Sequence, residues 1–284
     1  MKQLENVTIV GLGLIGGSFA LSLKDNNLVK HIIGTDVNHV HEEKALELGL
    51  VDDVLPLKEA VLKSDLVVLA IPVSACAQLL PLILDMVTTQ MVIDTGSTKK
   101  NILKSVVNHS NRKRYLPTHP MWGTEFNGPE AAVHGAFKGK AVVLCDKEES
   151  DIDVVDTVES IYKTIGMNIV NMHADAHDVH VAYVSHISHI TSFALANTVL
   201  EKETKEEAIF ALASAGFEST VRLAKSPSTM WVPILMQNKE NVLDVLTEHI
   251  SQLEKFKTCL ETQNWKGLTE LMQNANRISK VLKK

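Results

Sequence analysis

The chain has 284 residues, of which 45% are hydrophobic and 22% charged, with a formal net charge of −6. That length admits two domains with sizeable cores, and the composition is that of an ordinary globular chain rather than a disordered or fibrous one. The basic clusters, Lys99-Lys100, Arg112-Lys113-Arg114 and Lys283-Lys284, are too short to make a nucleic-acid surface.

Cys76, Cys145 and Cys259 are few, odd in number and widely spaced, with no C-x-x-C pair. They predict reduced thiols in a cytoplasm and no zinc site. The opening residues carry Glu5 and run directly into an apolar stretch, which predicts no signal peptide.

The first element sets the reading of the rest. Val7-Thr8-Ile9-Val10 is a β-type run that stops at Gly11, and Gly11-Leu12-Gly13-Leu14-Ile15-Gly16 matches G-x-G-x-x-G before an apolar helical pattern. In that motif Gly11 makes the tight turn, Gly13 lets backbone approach a pyrophosphate, and Gly16 lets helix and strand pack closely. The helix start, with Leu14 and Ile15, offers free N–H donors and a positive dipole end. A second strand, His31 to Thr35, ends at Asp36, twenty positions after Gly16. A carboxylate there accepts bonds from both ribose hydroxyls and repels a 2′-phosphate, which predicts NAD over NADP. A βαβ unit with no nucleotide is the alternative.

His41 to Leu48 reads as a helix ending near Gly49, and Glu59 to Lys63 as part of another. Leu66 to Leu84 is almost wholly apolar, but Pro72 and Pro81 interrupt it and Asp65 and Asp85 bracket it. Val67 to Ile71 therefore reads as a buried parallel strand entering a helix, not as part of a membrane span. Ala70 and Pro72, at its end, join the expected cofactor-binding residues.

Met91-Val92-Ile93-Asp94 is the next strand, followed by Thr95-Gly96-Ser97-Thr98-Lys99 and a helix to about Val107. Tyr115 to Thr118 leads into His119-Pro120-Met121-Trp122-Gly123-Thr124-Glu125, a Gly/Pro-punctuated loop of the kind that carries function. Ala141 to Cys145 is a strand, Ile152 to Ile165 a helix and Met167 to Val170 a last strand. Residues 1–172 thus read as a doubly wound, mostly parallel sheet with ligands at the strand C-terminal ends.

From Ala174 strand-like runs vanish, so residues 173–284 read as an all-α domain. His177 to about Glu201 is a long helix, apolar over most of its circumference, to be buried by other helices or a second subunit. Ala208 to Ala215, Val221 to Ala224, Met230 to Gln237, Asn241 to Thr262 and Trp265 to Val281 complete the set.

Ser97 and His119 are the first catalytic candidates, a hydroxyl to orient a substrate and an imidazole to take its proton. His119 reads equally well as a loop histidine bonded to backbone. His177 with His180, and His186 with His189, share helix faces and can in principle hold a metal, but no H-E-x-x-H spacing and no cysteine supports one, so one pair reads as a substrate contact and the other histidines as solvated or core residues. Arg222 follows a glycine hinge at Gly216 and can hold a carboxylate by two parallel bonds, or merely pair with a local acid such as Glu218.

Taken together the motifs resemble the prephenate dehydrogenase family of tyrosine biosynthesis, nearly end to end: GLGLIGGS at Gly11 to Ser18, DTGSTK at Asp94 to Lys99, HPMWGTE at His119 to Glu125, SHISH at Ser185 to His189, and GFESTVRLAKSPSTMW at Gly216 to Trp231. The resemblance implies a Rossmann domain followed by a helical domain that dimerises, with oxidative decarboxylation of prephenate by NAD. It implies His119 as the catalytic histidine, Ser97 orienting the ring hydroxyl, Arg222 on a substrate carboxylate, and His189, Trp231, Glu125 and Gly216 around the substrate. Arogenate as substrate, or a catalytically silent dinucleotide-binding protein, are the competing expectations. A β-hydroxyacid dehydrogenase is disfavoured, because no lysine lies between His177 and Leu200. The bulky Trp122, where the family often has alanine, leaves the shape of its loop open.

Overall fold

The computed structural model describes residues 3–203 and 209–282. Strand and helix alternate through β1 (Leu4–Val10), α1 (Leu14–Asp25), β2 (Val29–Thr35), α2 (His39–Glu47), β3 (Asp53–Val54), α3 (Leu57–Lys63), β4 (Leu66–Leu69), α4 (Val73–Met86), β5 (Met91–Asp94), α5 (Lys100–Lys104), β6 (Tyr115–Pro120), β7 (Ala141–Cys145), α6 (Ile152–Ile165) and β8 (Asn168–Met172). The eight strands form one sheet in the order β3-β2-β1-β4-β5-β6-β7-β8. All pairs are parallel except β6 with β7.

Both faces of the sheet are covered, and the sequence of β4 shows how. Leu66 and Val68 belong to one apolar cluster with Phe19, Phe137 and Tyr162, while Val67 and Leu69 belong to a second with Leu80, Ile83 and Trp231. Alternate residues of a strand point to opposite faces, so a strand buried on both sides reads as one continuous apolar run. The long apolar stretch is this strand followed by α4, with Pro72 at the helix N-terminus. Among the described residues no helix is long and apolar enough to cross a membrane.

The main departure in the sheet is β3, two residues long and paired to Ile33 and Gly34. So short a run carries no periodicity. α5 is also shorter than the expected helix to Val107, because turns follow Lys104. By contrast α6 has the expected ends, with Gly166 at φ +88° closing it in the left-handed conformation.

After β8 the chain is helical. The long helix expected from His177 is present as an unbroken helical run of α7 (Ala174–Val181), a π-type turn over Ala182–His186, and α8 (Ile187–Glu203). In α8 only Ser192 is buried, so the chain itself does not bury the helix as its apolar composition suggested. Of the expected Ala208–Ala215 helix, Ala208 lies outside the described residues, Phe210–Leu212 makes one 3₁₀ turn, and α9 (Ala215–Val221) begins where that helix was to end. A 3₁₀ turn over Arg222–Lys225 and α10 (Ser228–Gln237) follow.

The chain to Asn238 is one compact unit and Lys239 onward is another. In the first, Trp231 and Ile234 seat α10 in the apolar cluster of the sheet. The second contains α11 (Lys239–Glu261), α12 (Trp265–Asn276) and α13 (Ile278–Val281), with the Asn264 side chain accepting from the Gly267 N–H to start α12.

Candidate active site

The strand order reverses at β1 and β4, and the crevice outside their carboxyl ends is where an open α/β sheet binds ligands. Gly11 ends β1 at φ +94°, and a Cβ there would stand 2.4 Å from the Ala70 carbonyl oxygen at the end of β4. A Cβ on Gly16 would stand 1.9 Å from the Gly11 oxygen, so both glycines are demanded by packing inside the chain. Gly13 is different. No other atom lies within 4 Å of its added Cβ, and it is the N-cap of α1 with no side-chain cap and no acid in the first turn. Packing does not demand this glycine, and the open space beside the N–H donors of Leu14 and Ile15 has room for a phosphate.

Asp36, just past β2, accepts the Leu12 N–H at 2.8 Å, which ties its carboxylate to the glycine turn. This donor and acceptor set fits a dinucleotide, and the carboxylate fits NAD. Ala70 is half-buried beside Gly11, and Pro72 is exposed at the start of α4.

One strand over, β5 ends in a buried polar knot. Asp94 is fully buried, pairs with the fully buried Lys99, and accepts from the Tyr115 hydroxyl at 2.7 Å and the Gly96 N–H at 2.8 Å. Removing either member of such a pair strands a charge in the interior, at a cost of about 3–5 kcal/mol. The knot fixes the loop that carries Ser97, whose side chain is half-buried.

His119 sits near the end of β6, buried at 9% exposure. Its Nδ1 lies 2.8 Å from His177 Nε2, and His177 Nδ1 lies 2.8 Å from Asp178 Oδ1. The hydrogen-bond pattern assigns the tautomers. The Asp178 carboxylate also accepts the Lys99 N–H at 2.8 Å and the Lys100 N–H at 3.0 Å, so as an acceptor it takes the Nδ1–H of His177. His177 Nε2 is then a lone pair that accepts the Nδ1–H of His119. Consequently His119 Nε2 carries a lone pair. Burial first, then His177, Lys99 and His186, holds His119 well below its ordinary pKa, so the ring is neutral near pH 7. The arrangement is a proton acceptor backed by an imidazole and a carboxylate, the logic of a triad base.

Arg222 does not pair with Glu218, which lies 3.6 Å from Lys225. Its guanidinium reaches back to Glu125 in the loop after β6, at 3.0 Å, and is half exposed. A backbone hydrogen bond and the Arg222 charge hold Glu125 below its usual range. His189 stacks on Trp231 with ring centroids 3.5 Å apart, and His186 meets the same indole edge-on. His189 Nδ1 and Trp231 Nε1 are buried without a protein partner, two polar atoms of one stacked pair that a ligand can satisfy. Gly216 lies inside α9 and has no positive φ, so it is a helical residue and not the hinge its position before Arg222 suggested.

Residues 19–171 match the family model described as "Prephenate dehydrogenase, nucleotide-binding domain", and residues 173–274 match "Prephenate dehydrogenase, dimerization domain". The chain belongs to the prephenate dehydrogenase family. It is 30% identical to the prephenate dehydrogenase of Bacillus subtilis (strain 168), over 97% of this chain and 76% of that one. It is 29% identical to the cyclohexadienyl dehydrogenase of Zymomonas mobilis, over 100% and 98%. The crystal structure of prephenate dehydrogenase from A. aeolicus, in complex with hydroxyphenyl propionate and NAD+, superposes with a TM-score of 0.88 at 28% identity over 99% of both chains.

As a member of this oxidoreductase family, the chain brings Ser97 and His119 to the carboxyl ends of adjacent strands, and joins Arg222 to Glu125 across 97 positions. His177 and Asp178 bond behind His119, and Asp94 and Lys99 pair beneath the Ser97 loop. Asp94 and Lys99 are visible in the sequence as the two ends of the DTGSTK segment and His177 as one of the clustered histidines, whereas Asp178 has no signal beyond polarity. The histidine pairs weighed as metal ligands are engaged elsewhere: His177 with His119 and Asp178, and His186 with the Asn238 amide at 3.2 Å. Among the described residues the one cluster with metal-ligand spacing is Asp146, Glu148 and His173, mostly exposed, with His173 one helical turn before His177. Trp122 turns its ring edge onto Phe137, 5.4 Å away, so the bulky residue packs on the core.

Proposed function

We propose that the chain oxidises prephenate with NAD to 4-hydroxyphenylpyruvate and CO2, with His119 as general base. The neutral, lone-pair-bearing Nε2 of His119 carries this reading. Ser97 orients the C4 hydroxyl, and His119 Nε2 takes its proton as the C4–O bond gains double-bond character. When bound, NAD supplies the acceptor for the hydride leaving C4. The C–CO2 bond then breaks with its electrons entering the ring, and His119 returns the proton to the phenolate oxygen. The His177–Asp178 pair behind His119 stabilises the imidazolium while it lasts. Arg222 positions a carboxylate that stays on the product, since a cation on the departing one would favour the ground state. His189, Trp231, Glu125 and Gly216 surround the substrate. Gly11, Gly13, Leu14, Ile15, Gly16, Asp36, Ala70 and Pro72 hold the cofactor.

The functional boundary is drawn at 172/173, supported by the end of β8 and by the junction of the two family models. A homodimer through the helical part is supported by the description of the second model and by the exposed Tyr183, Val184 and Leu200. The free thiols of Cys76, Cys145 and Cys259 suit a cytoplasmic enzyme.

The test is absorbance of reduced nicotinamide on mixing protein with NAD and either prephenate or arogenate. Turnover with prephenate is expected, and His119→Ala is expected to lower kcat by about 10²- to 10⁴-fold. Turnover with arogenate alone changes the substrate and keeps the base. Near-normal kcat in His119→Ala rejects the base assignment.

A further inference from the structure

A second carboxylate, Glu42 of α2, reaches back to the end of β2. The Asp36 side chain is mostly buried, its Oδ2 accepting from Leu12 and its Oδ1 from the Asn38 N–H at 2.9 Å. Its own backbone N–H donates to Glu42 Oε1 at 3.0 Å, and Glu42 Oε2 lies 2.8 Å from His39 Nδ1. His39 is 90% exposed, yet the Glu42 side chain beside it is only 14% exposed. His41 Nδ1 lies 3.6 Å from Asp36 Oδ2.

These are the donors an oxyanion would use at the ribose end of the cofactor: a backbone N–H at the end of β2 and two imidazoles within reach. A 2′-phosphate on a ribose held by Asp36 would need them to offset the Asp36 charge. In this chain Glu42 already occupies the N–H and one of the rings, and sets a second negative charge beside Asp36.

We propose that Glu42 is a cofactor-specificity residue, an internal carboxylate that fills the donor set of a latent 2′-phosphate site and so excludes NADP. The proposal rests on NAD binding at the glycine turn. Asp36 alone is the usual account of NAD preference, and it leaves unexplained why the Asp36 N–H and the His39 ring should be taken up by an acid six positions on.

The experiment is calorimetric binding of adenosine 2′,5′-bisphosphate, with NAD titrated in parallel, to the full chain and to Glu42→Gln, Glu42→Ala and Glu43→Gln. Glu42→Gln removes the charge and keeps an oxygen for the Asp36 N–H; Glu42→Ala also frees the donors. Glu43 is exposed, so its variant makes the same charge change on the outer face of α2. The expected result is bisphosphate binding at least tenfold tighter in Glu42→Gln and tighter again in Glu42→Ala, with little change in Glu43→Gln. The ratio of kcat/KM for NADP to that for NAD should rise in the same order. Bisphosphate affinity within twofold of the unsubstituted chain in both Glu42 variants, or an equal gain in Glu43→Gln, overturns the proposal. Failure of the unsubstituted chain to bind NAD at all would instead overturn the cofactor reading beneath it.

Discussion

His177 has no atom in position to meet a substrate once both its ring nitrogens are bonded, yet it decides which nitrogen of His119 is free. With His119 as the proposed base, His177 is a positioning residue, and a misplaced base costs on the order of 10²-fold in rate. His177→Ala should lower kcat roughly tenfold to a hundredfold with KM little changed. His177→Gln, whose amide oxygen can still accept from His119 Nδ1, should recover part of that loss. Steady-state kinetics of the two variants separate this from a purely structural role, which would lower thermal stability without selective recovery in kcat. Arg222 acts differently. Half exposed and paired with Glu125, it can exchange that carboxylate for a substrate carboxylate. Arg222→Ala should chiefly raise KM, by about tenfold or more, and Arg222→Lys should restore only part, because an ammonium cannot make two parallel bonds. A kcat loss with unchanged KM would contradict the binding role.

At the level of elements, the first βαβ unit separates folding demands from ligand demands within one motif. Gly16→Ala forces a Cβ onto the Gly11 carbonyl, 1.9 Å away, and should destabilise the chain by about 1–3 kcal/mol, read as a lower thermal midpoint. Gly13→Ala meets no protein atom and keeps an extended N-cap, with φ −81° and ψ −161°. It should leave the thermal midpoint nearly unchanged while weakening NAD at least about tenfold, some 1.4 kcal/mol, in a binding titration. Equal effects of the two substitutions on stability would remove the case for a phosphate at Gly13. The same contrast explains why the glycine turn, α6 with Gly166 and the buried strand β4 are legible in the chain: each rests on local backbone geometry or on burial of a whole strand. The two-residue β3, the early end of α5 and the π-type turn before α8 depend on neighbours, and no local pattern announces them.

For the molecule as a whole, the buried histidines set the response to acid. Burial is the first cause holding His119, His177, His186 and His189 below 6.5, and the last two fall to about 4. In the folded chain they stay neutral where the unfolded chain, titrating near 6.5, takes up protons. The unfolded state therefore binds more protons between pH 6.5 and about 4, and folding stability falls as pH drops through that window. Asp178 adds to the loss further down: although burial raises its pKa, His177 and the Lys99 and Lys100 N–H groups bring it below 3.8. The urea midpoint should accordingly fall between pH 7 and pH 5. A flat midpoint would mean that these rings titrate in the fold much as they do in the open chain.

The amino-acid sequence by itself determined the alternating α/β half, the helical half, the glycine turn with Asp36, and the candidacy of Ser97, His119 and Arg222, because these rest on short-range periodicity, on backbone freedom at glycine, and on residue types at fixed spacing. Only the tertiary structure decided that Arg222 answers Glu125 and not Glu218, that His189 stacks on Trp231, and that His119 is held by His177 and Asp178. Those partners lie tens of positions apart, and a hydrogen bond between distant side chains leaves no period in the chain. It exists only once the fold has brought the two groups together, and it strengthens where packing removes the water that would otherwise satisfy them.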